Sequence, residues 1–420
     1  MNIAIYTLTS ELHDEQAVSA TTQEFLNSLQ VEYILRGADY SDYGSHALDL
    51  IYVRTGGTEG IFKRLLPELQ KKSRASFRLL TSGKSNSLAA SLEILSYLRQ
   101  HNIQGEIIHG SAEYITRRLH ILEQVGLARR RLSGCRLGII GQPSDWLIAS
   151  YANRETVKWR IGIELVDIPM QELLTTLEKT PVVSVSDASA AAGVSDASAP
   201  VSVSDGFAVG AASAVPSSLS ASLPGALRIY EALKAVIQRH HLQGFTLRCF
   251  DLLTAVRNTG CLALAKLNSE GLVAGCEGDV PAMLSMKIAQ ALTGYSGFQA
   301  NPARINPETG EMLFAHCTIP LNMVERYEFD THFESGIGVG IRGYMQEGPI
   351  TIFKVSGDLS RHFIAEGELI RSEAKPDLCR TQQVIKLDDK TQTEYFLREP
   401  IGNHHIILAG RQRELLEEIL

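Results

Sequence analysis

Residues 272–294 read Leu272-Val-Ala-Gly-Cys-Glu-Gly-Asp-Val-Pro-Ala-Met-Leu-Ser-Met-Lys-Ile-Ala-Gln-Ala-Leu-Thr-Gly294, and the stretch closes on Phe298-Gln-Ala-Asn301. Residues 272–276 form an apolar run of strand length, and residues 280–292 carry the apolar spacing of a helix. Glu277, Gly278 and Asp279 stand between them. Asp279 is placed to cap the helix, and Pro281 is tolerated in a first helical turn. The pattern therefore predicts strand, tight turn and helix, with Glu277 at the carboxyl end of the strand. Open α/β sheets bind their ligands at such ends. A carboxylate there serves as a base or a metal ligand, or it is one more solvated side chain beside a capping turn.

Outward from this stretch, residues 1–133 alternate strand and helix patterns. Strands are expected at 2–6, 49–53, 77–80 and 106–109, and helices at 15–29, 60–71, 88–101 and 114–127. Alternation of this kind predicts a doubly wound parallel sheet with helices on both faces. Two Gly-rich turns enter helices here, at Thr55-Gly-Gly-Thr58 and Ser82-Gly-Lys-Ser85. Backbone amides at a helix start favour anions. Gly83-Lys84-Ser85 resembles the end of a P-loop, but the upstream glycine is missing, so ordinary tight turns are expected. A second Rossmann-like α/β domain is read over 134–295, opening on Cys135-Arg-Leu-Gly-Ile-Ile-Gly141. Within it, residues 181–222 shift to Ser, Ala, Val, Gly and Asp with short repeats, and are read as a disordered insertion. Residues 296–420 switch to short strands between Gly-rich turns, which predicts a C-terminal antiparallel β barrel or sandwich.

The chain has 420 residues, 44% hydrophobic and 21% charged, with a net charge of -7. That balance and the lack of a basic stripe argue against nucleic acid as a partner. The start, Met-Asn-Ile-Ala-Ile-Tyr6, reads as a buried strand and not a leader. No apolar run reaches the ~20 residues that span a membrane. Six scattered cysteines without a CxxC pair fit free thiols in a reducing cytoplasm. His240-His241 offers adjacent imidazoles, but neighbours on a helix diverge, so a solvated helix end is expected.

The C-terminal half carries several polar clusters besides Glu277 and Asp279. They are Asn301-Pro-Ala-Arg304, His316-Cys-Thr318, Thr331-His332 with Arg342 downstream, and Asn403-His-His405. Carboxylate, amide oxygen and imidazole together suit manganese or another divalent cation.

In order along residues 135–410, these motifs resemble the L-fucose isomerase / L-arabinose isomerase superfamily, especially its L-fucose-isomerase-like members. The resemblance is concentrated in 276–301, 315–320, 330–342 and 400–405. It implies an aldose–ketose isomerase with two α/β domains and a C-terminal β domain, using manganese and an ene-diol. It also implies a homo-oligomer, a trimer or hexamer, in which one subunit's N-terminal domain closes a neighbour's site. Glu277 matches the glutamate that opens the family's E-x-D turn, which binds metal and moves protons. The late metal-binding histidine matches the His404-His405 pair, with His405 expected as the ligand. His332 looks similar to a metal-ligating histidine of the arabinose isomerases and is read as a substrate contact.

The departure falls at the family's second carboxylate, where position 301 holds Asn. An amide oxygen can ligate an ion but cannot carry a proton. The expected metal set is therefore Glu277, Asn301 and His405. Glu277, its pKa raised by partial burial, is the expected base, with Asp279 or His316 as proton relay. Arg304 and Arg342 suit an acidic or phosphorylated substrate end, or plain salt bridges. Three readings stand: a metal-dependent sugar isomerase; a sugar-binding protein of the same fold that lost turnover with the carboxylate; and a nucleotide-dependent carbohydrate enzyme using Lys84.

Overall fold

The computed structural model describes residues 1–182 and 210–420. They divide into two compact units, Met1–Arg130 and Arg131–Leu420. The expected architecture of parallel α/β sheets followed by an antiparallel barrel is the one found.

The first unit holds a five-stranded parallel sheet in the order β2-β1-β3-β4-β5. Its strands are β1 (Ile3–Leu8), β2 (Tyr33–Gly37), β3 (Leu48–Val53), β4 (Phe77–Leu80) and β5 (Gly105–Ile108). β1 and the last four residues of β3 are buried without interruption, as strands covered on both faces must be. The sequence pattern misses β2, an edge strand whose residues are all partly or fully exposed, so no apolar period marks it.

The second unit opens with a four-stranded parallel sheet, β6 (Arg136–Ile140), β7 (Glu164–Ile168), β9 (Gly244–Leu247) and β10 (Val273–Cys276), in the order β10-β9-β6-β7. Of the low-bulk stretch 181–222, residues 183–209 lie outside the described residues. Its far end departs from the expected disorder. β8 (Ala211–Ala212) pairs in parallel with β13 (Arg326–Asp330), and Leu219 joins the core. The following helix, which the sequence pattern places at 226–240, starts at Leu223.

Six antiparallel strands close the barrel in the order β11-β12-β17-β16-β15-β18. They are β11 (Phe298–Asn306), β12 (Glu311–His316), β15 (Gly348–Val355), β16 (His362–Glu373), β17 (Thr381–Leu387) and β18 (His405–Ala409). Alternate residues such as Met312 and Phe314, Ile350 and Ile352, and Ile385 and Leu387 fill one apolar cluster. β11 escapes the sequence pattern because Pro302 lies in it and its register slips between Pro302 and Arg304. β13 and β14 (Gly340–Tyr344) form a small sheet with β8.

The helix Val280–Thr293 is buried almost all round, which explains its near-continuous apolar sequence. Ser285 Oγ accepts the amide of Val355 on β15 at 3.0 Å, tying this helix to the barrel. The turn that precedes the helix is thereby aimed at the barrel strands.

Candidate metal centre

The turn after β10 has an unusual backbone. Glu277 adopts φ 62° and Gly278 φ 73°, two left-handed residues in succession. A side chain on Gly278 would lie 2.7 Å from the Gln142 carbonyl oxygen and from Pro143 Cα, so only glycine fits. A left-handed glutamate costs conformational energy, and such strain gathers at functional sites. It is held by its surroundings: Ser144 donates its amide to the Glu277 carbonyl at 2.9 Å, and the Gly278 amide reaches Leu247 O at 3.0 Å.

This geometry delivers the Glu277 carboxylate to two imidazoles. Oε1 lies 3.6 Å from His316 Nε2, at the end of β12, and 3.5 Å from His404 Nε2, just before β18. Oε2 accepts the indole N–H of Trp146 at 2.7 Å. Glu277, His316 and His404 can each point one ligand atom at a common centre, all within 4.8 Å of one another.

Each imidazole is oriented by a second bond. His316 Nδ1 meets the Thr318 hydroxyl at 3.0 Å. His404 Nδ1 meets Asp279 Oδ2 at 2.8 Å. Its Nε2 is then buried without a hydrogen-bond partner among the described residues. An orphaned buried nitrogen facing a carboxylate and a second imidazole is what a divalent cation would satisfy. One carboxylate and two imidazoles are ordinary ligands for such an ion.

Asp279 is the expected N-cap, its Oδ1 accepting Ala282 N–H at 2.8 Å. It is fully buried, and its other oxygen serves His404 and lies 3.5 Å from Lys354 Nζ on β15. Lys354 is itself buried, and its ammonium has no hydrogen-bond partner among the described residues. Burial pushes the Asp279 pKa up, but Lys354 and His404 outweigh it and hold the group down at about 2. His404 moves the other way. Burial alone would lower its pKa, but Asp279 and Glu277 lift it to about 9.

Glu277 corrects one expectation. Burial does push its pKa up, but the adjacent imidazoles of His316 and His404 win and hold it well below the usual carboxylate range. Partial burial was expected to make it a stronger base; two imidazoles on one oxygen reverse the sign.

Among the other expected site residues, His405 faces away. Its Nε2 meets the Tyr395 hydroxyl and its Nδ1 the Asn403 carbonyl, both at 3.0 Å, and burial lowers its pKa to about 3. Both nitrogens are engaged, so His404 and not His405 is the histidine beside Glu277. The Asn301 amide oxygen accepts from Asn403 Nδ2 at 3.2 Å, which ties Asn301 to the loop carrying His404. His332 is buried, with Nδ1 on the Ser335 hydroxyl at 3.0 Å and its ring edge-on to Phe250. Burial, then the nearby His316, lowers its pKa to about 4, so it is neutral at pH 7. Arg304 pairs with Asp377 at 3.1 Å on the surface. Arg342 pairs with Asp330 at 2.7 Å, and its Nη1 is buried without a hydrogen-bond partner among the described residues. His240 is a helix-end residue bonded to Glu172 at 2.9 Å, and His241 caps that helix in a left-handed conformation.

Sequence reasoning missed Trp146 and Lys354. The lysine left a signal: it stands in the apolar run Ile350-Thr-Ile-Phe-Lys-Val355. Trp146 left none, because its role follows from how the loop after β6 folds back over Gly278.

No family model matches the chain. It has distant homologues named sulfoquinovose isomerase. Those of Priestia aryabhattai and Priestia megaterium are each 22% identical over 280 residues, 64% of this chain and 59% of theirs. That of a Clostridium species is 27% identical over 128 residues, 30% of this chain and 27% of its own. The chain thus matches somewhat over half the length of the first two relatives, and similarity to proteins named as sugar isomerases is what the comparison supports.

Proposed function

We propose that this chain is a metal-dependent aldose–ketose isomerase acting on an open-chain sugar through an ene-diol. The observation that carries the reading is the orphaned His404 Nε2, buried beside Glu277 Oε1 and His316. Glu277, His316 and His404 would hold manganese or another divalent cation. Such an ion supplies polarisation of the sugar's carbonyl and adjacent hydroxyl oxygens. Asn301, through Asn403, holds the loop that presents His404.

The residues divide the remaining work. Glu277 splits its oxygens: Oε1 faces the imidazoles, and Oε2 keeps a lone pair beside its bond to Trp146 for the proton that moves between the two sugar carbons. Asp279 has no free lone-pair direction toward the sugar that the Ala282 amide, His404 and Lys354 do not compete for. It positions His404 instead of relaying protons. His332 contributes a neutral imidazole on the substrate side.

Sulfoquinovose, named in the relatives, is a hexose ending in a sulfonate. Arg342 and Arg380 share Asp330, at 2.7 and 3.4 Å, and Arg380 also grips Thr331, the neighbour of His332. Arg342 also lies 3.8 Å from Glu328, which Arg326 holds at 2.8 Å, so three guanidinium groups face two carboxylates and leave net positive charge for an anionic sugar end. Arg304, exposed and paired with Asp377, is the weaker of the expected anion contacts. Among the described helices none is long and apolar enough to cross a membrane. A cytoplasmic homo-oligomer belongs to the same proposal, supported by the exposed Ile148 and Tyr151 on the loop after β6.

The test is a calorimetric manganese titration of the wild type and Glu277→Gln, followed by sulfoquinovose and unsulfonated aldoses with ketose formation read by NMR. Stoichiometric binding lost in the variant supports the reading; no manganese binding at neutral pH sinks it. Asn301 favours a second reading, a sugar-binding protein without turnover. Saturable sugar binding without turnover would select it, whereas activity raised in Asn301→Asp would favour the isomerase with a weakened site.

A further inference from the structure

Trp146 lies on the loop between β6 and the helix Arg154–Ile161. The loop is pinned on both sides of it. Ser144 donates its amide to Glu277, and Asp145 takes two bonds from Arg248 at 3.1 and 3.0 Å. Leu147 is buried. Between these anchors the indole packs edge-on against Phe250 at 4.7 Å between centroids, and Phe250 packs edge-on against His332. Trp146, Phe250 and His332 thus form one aromatic wall beside the Glu277 carboxylate.

The indole is half in solvent, 51% exposed, while Glu277, His316 and His404 are each 9% exposed or less. A single exposed aromatic needs no explanation on its own. This one spends its only polar hydrogen on Glu277 Oε2, the oxygen turned away from the two imidazoles.

We propose that Trp146 is the sugar-reading residue of this site: its N–H fixes the orientation of Glu277, and its exposed face stacks on the C–H face of the substrate. An indole face is electron-rich and accepts the weakly positive C–H groups of a sugar ring or chain. A sugar resting there would lie beside the oxygen that the same indole holds in place. The inference rests on the isomerase reading, but sugar binding tests it separately from turnover.

The chain has two tryptophans, and the other, Trp159, is exposed on the neighbouring helix. In a Trp159→Phe background, emission therefore reports Trp146 alone. Titration with sulfoquinovose at saturating manganese is expected to give a saturable change in emission. Trp146→Phe keeps a ring face and loses the N–H, so kcat should fall about tenfold with KM little changed. Trp146→Ala loses both, so KM should also rise about tenfold. Wild-type KM and kcat in Trp146→Ala, or emission blind to a sugar that the wild type turns over, would overturn this role alone. A wild type that neither binds manganese nor turns over sugar overturns the isomerase reading and this inference together.

Discussion

Strand-to-helix turns that carry glycine in both units end up with different chemistry. In the first unit, the turns 55–58 and 82–85 close on themselves. Gly56 N–H reaches Ser85 O at 2.8 Å, Thr55 Oγ1 takes the Ser10 amide at 3.0 Å, and Thr81 bonds Ser87 at 2.7 Å. Their polar groups are satisfied locally, and Lys84 points out to Glu24. In the second unit, the turn 277–279 projects two carboxylates of which only one oxygen each is satisfied nearby, Glu277 Oε2 by Trp146 and Asp279 Oδ1 by the Ala282 amide. The barrel supplies the partners, with His316 from β12, Lys354 from β15 and His404 before β18. The carboxyl end of a parallel strand is therefore a place for a site and not yet a site; a second element must bring charge to it.

The largest expected effect separates two adjacent histidines. His404→Gln should weaken manganese binding about a hundredfold or more, because it removes a ligand and its Asp279 support. His405→Gln should leave manganese affinity near the wild type and cost about 2 kcal/mol of stability, through the lost Tyr395 bond and core packing. Calorimetric titration and urea unfolding of both variants read the two quantities. Equal loss of affinity in the pair would end the distinction drawn between them.

A smaller effect, on stability, falls at the barrel's contribution to the turn. Lys354→Met keeps the volume and removes the only cation other than His404 within reach of buried Asp279 among the described residues. Removing one partner of a buried pair costs about 3 kcal/mol. Adding Asp279→Asn should recover part of that loss, since no buried charge is then left alone. Denaturant midpoints of the two single variants and the double variant test this; strictly additive losses would mean that Lys354 and Asp279 do not act as a pair.

The sequence made the turn legible and hid its partners. Strand 273–276, the Asp279 cap and helix 280–293 follow from local apolar spacing and capping chemistry, which depend on neighbours in sequence. The barrel was readable as short strands, although β11 was obscured by Pro302. Which of His404 and His405 turns to Glu277 was not readable. Strand alternation sends neighbours to opposite sides, and the side depends on the register of β18 against β11, where His405 pairs with Ala300. The sign of the Glu277 shift was hidden for the same reason: it depends on residues 39 and 127 positions away.

A further expectation concerns pH. In the metal-free protein His404 has its pKa raised to about 9, so the stability it contributes is fully present below about pH 6.5 and is lost as pH rises through 9. A cation needs the proton gone from Nε2. Manganese affinity should therefore climb with pH, by about tenfold per unit toward 9, and binding should release a proton. Titrations in two buffers of different ionisation enthalpy count that proton. Affinity flat between pH 7 and 9 would mean that His404 binds no proton in the free site.

The smallest effect belongs to the turn that lacks partners. Lys84 is more than half exposed, and its salt bridge to Glu24 is between exposed side chains. Pairs of that kind contribute at most about 1 kcal/mol. Ser85 and Asn86 are left-handed in this turn, and the Ser85 carbonyl is taken by the Gly56 amide. Lys84→Ala should then leave stability, manganese affinity and sugar turnover within error of the wild type, and neither protein should bind ATP in a fluorescence titration. Nucleotide binding lost in Lys84→Ala would reverse the comparison. The first unit's turn would then carry chemistry on backbone amides and one lysine alone, and a facing element would not be what makes such a turn a site.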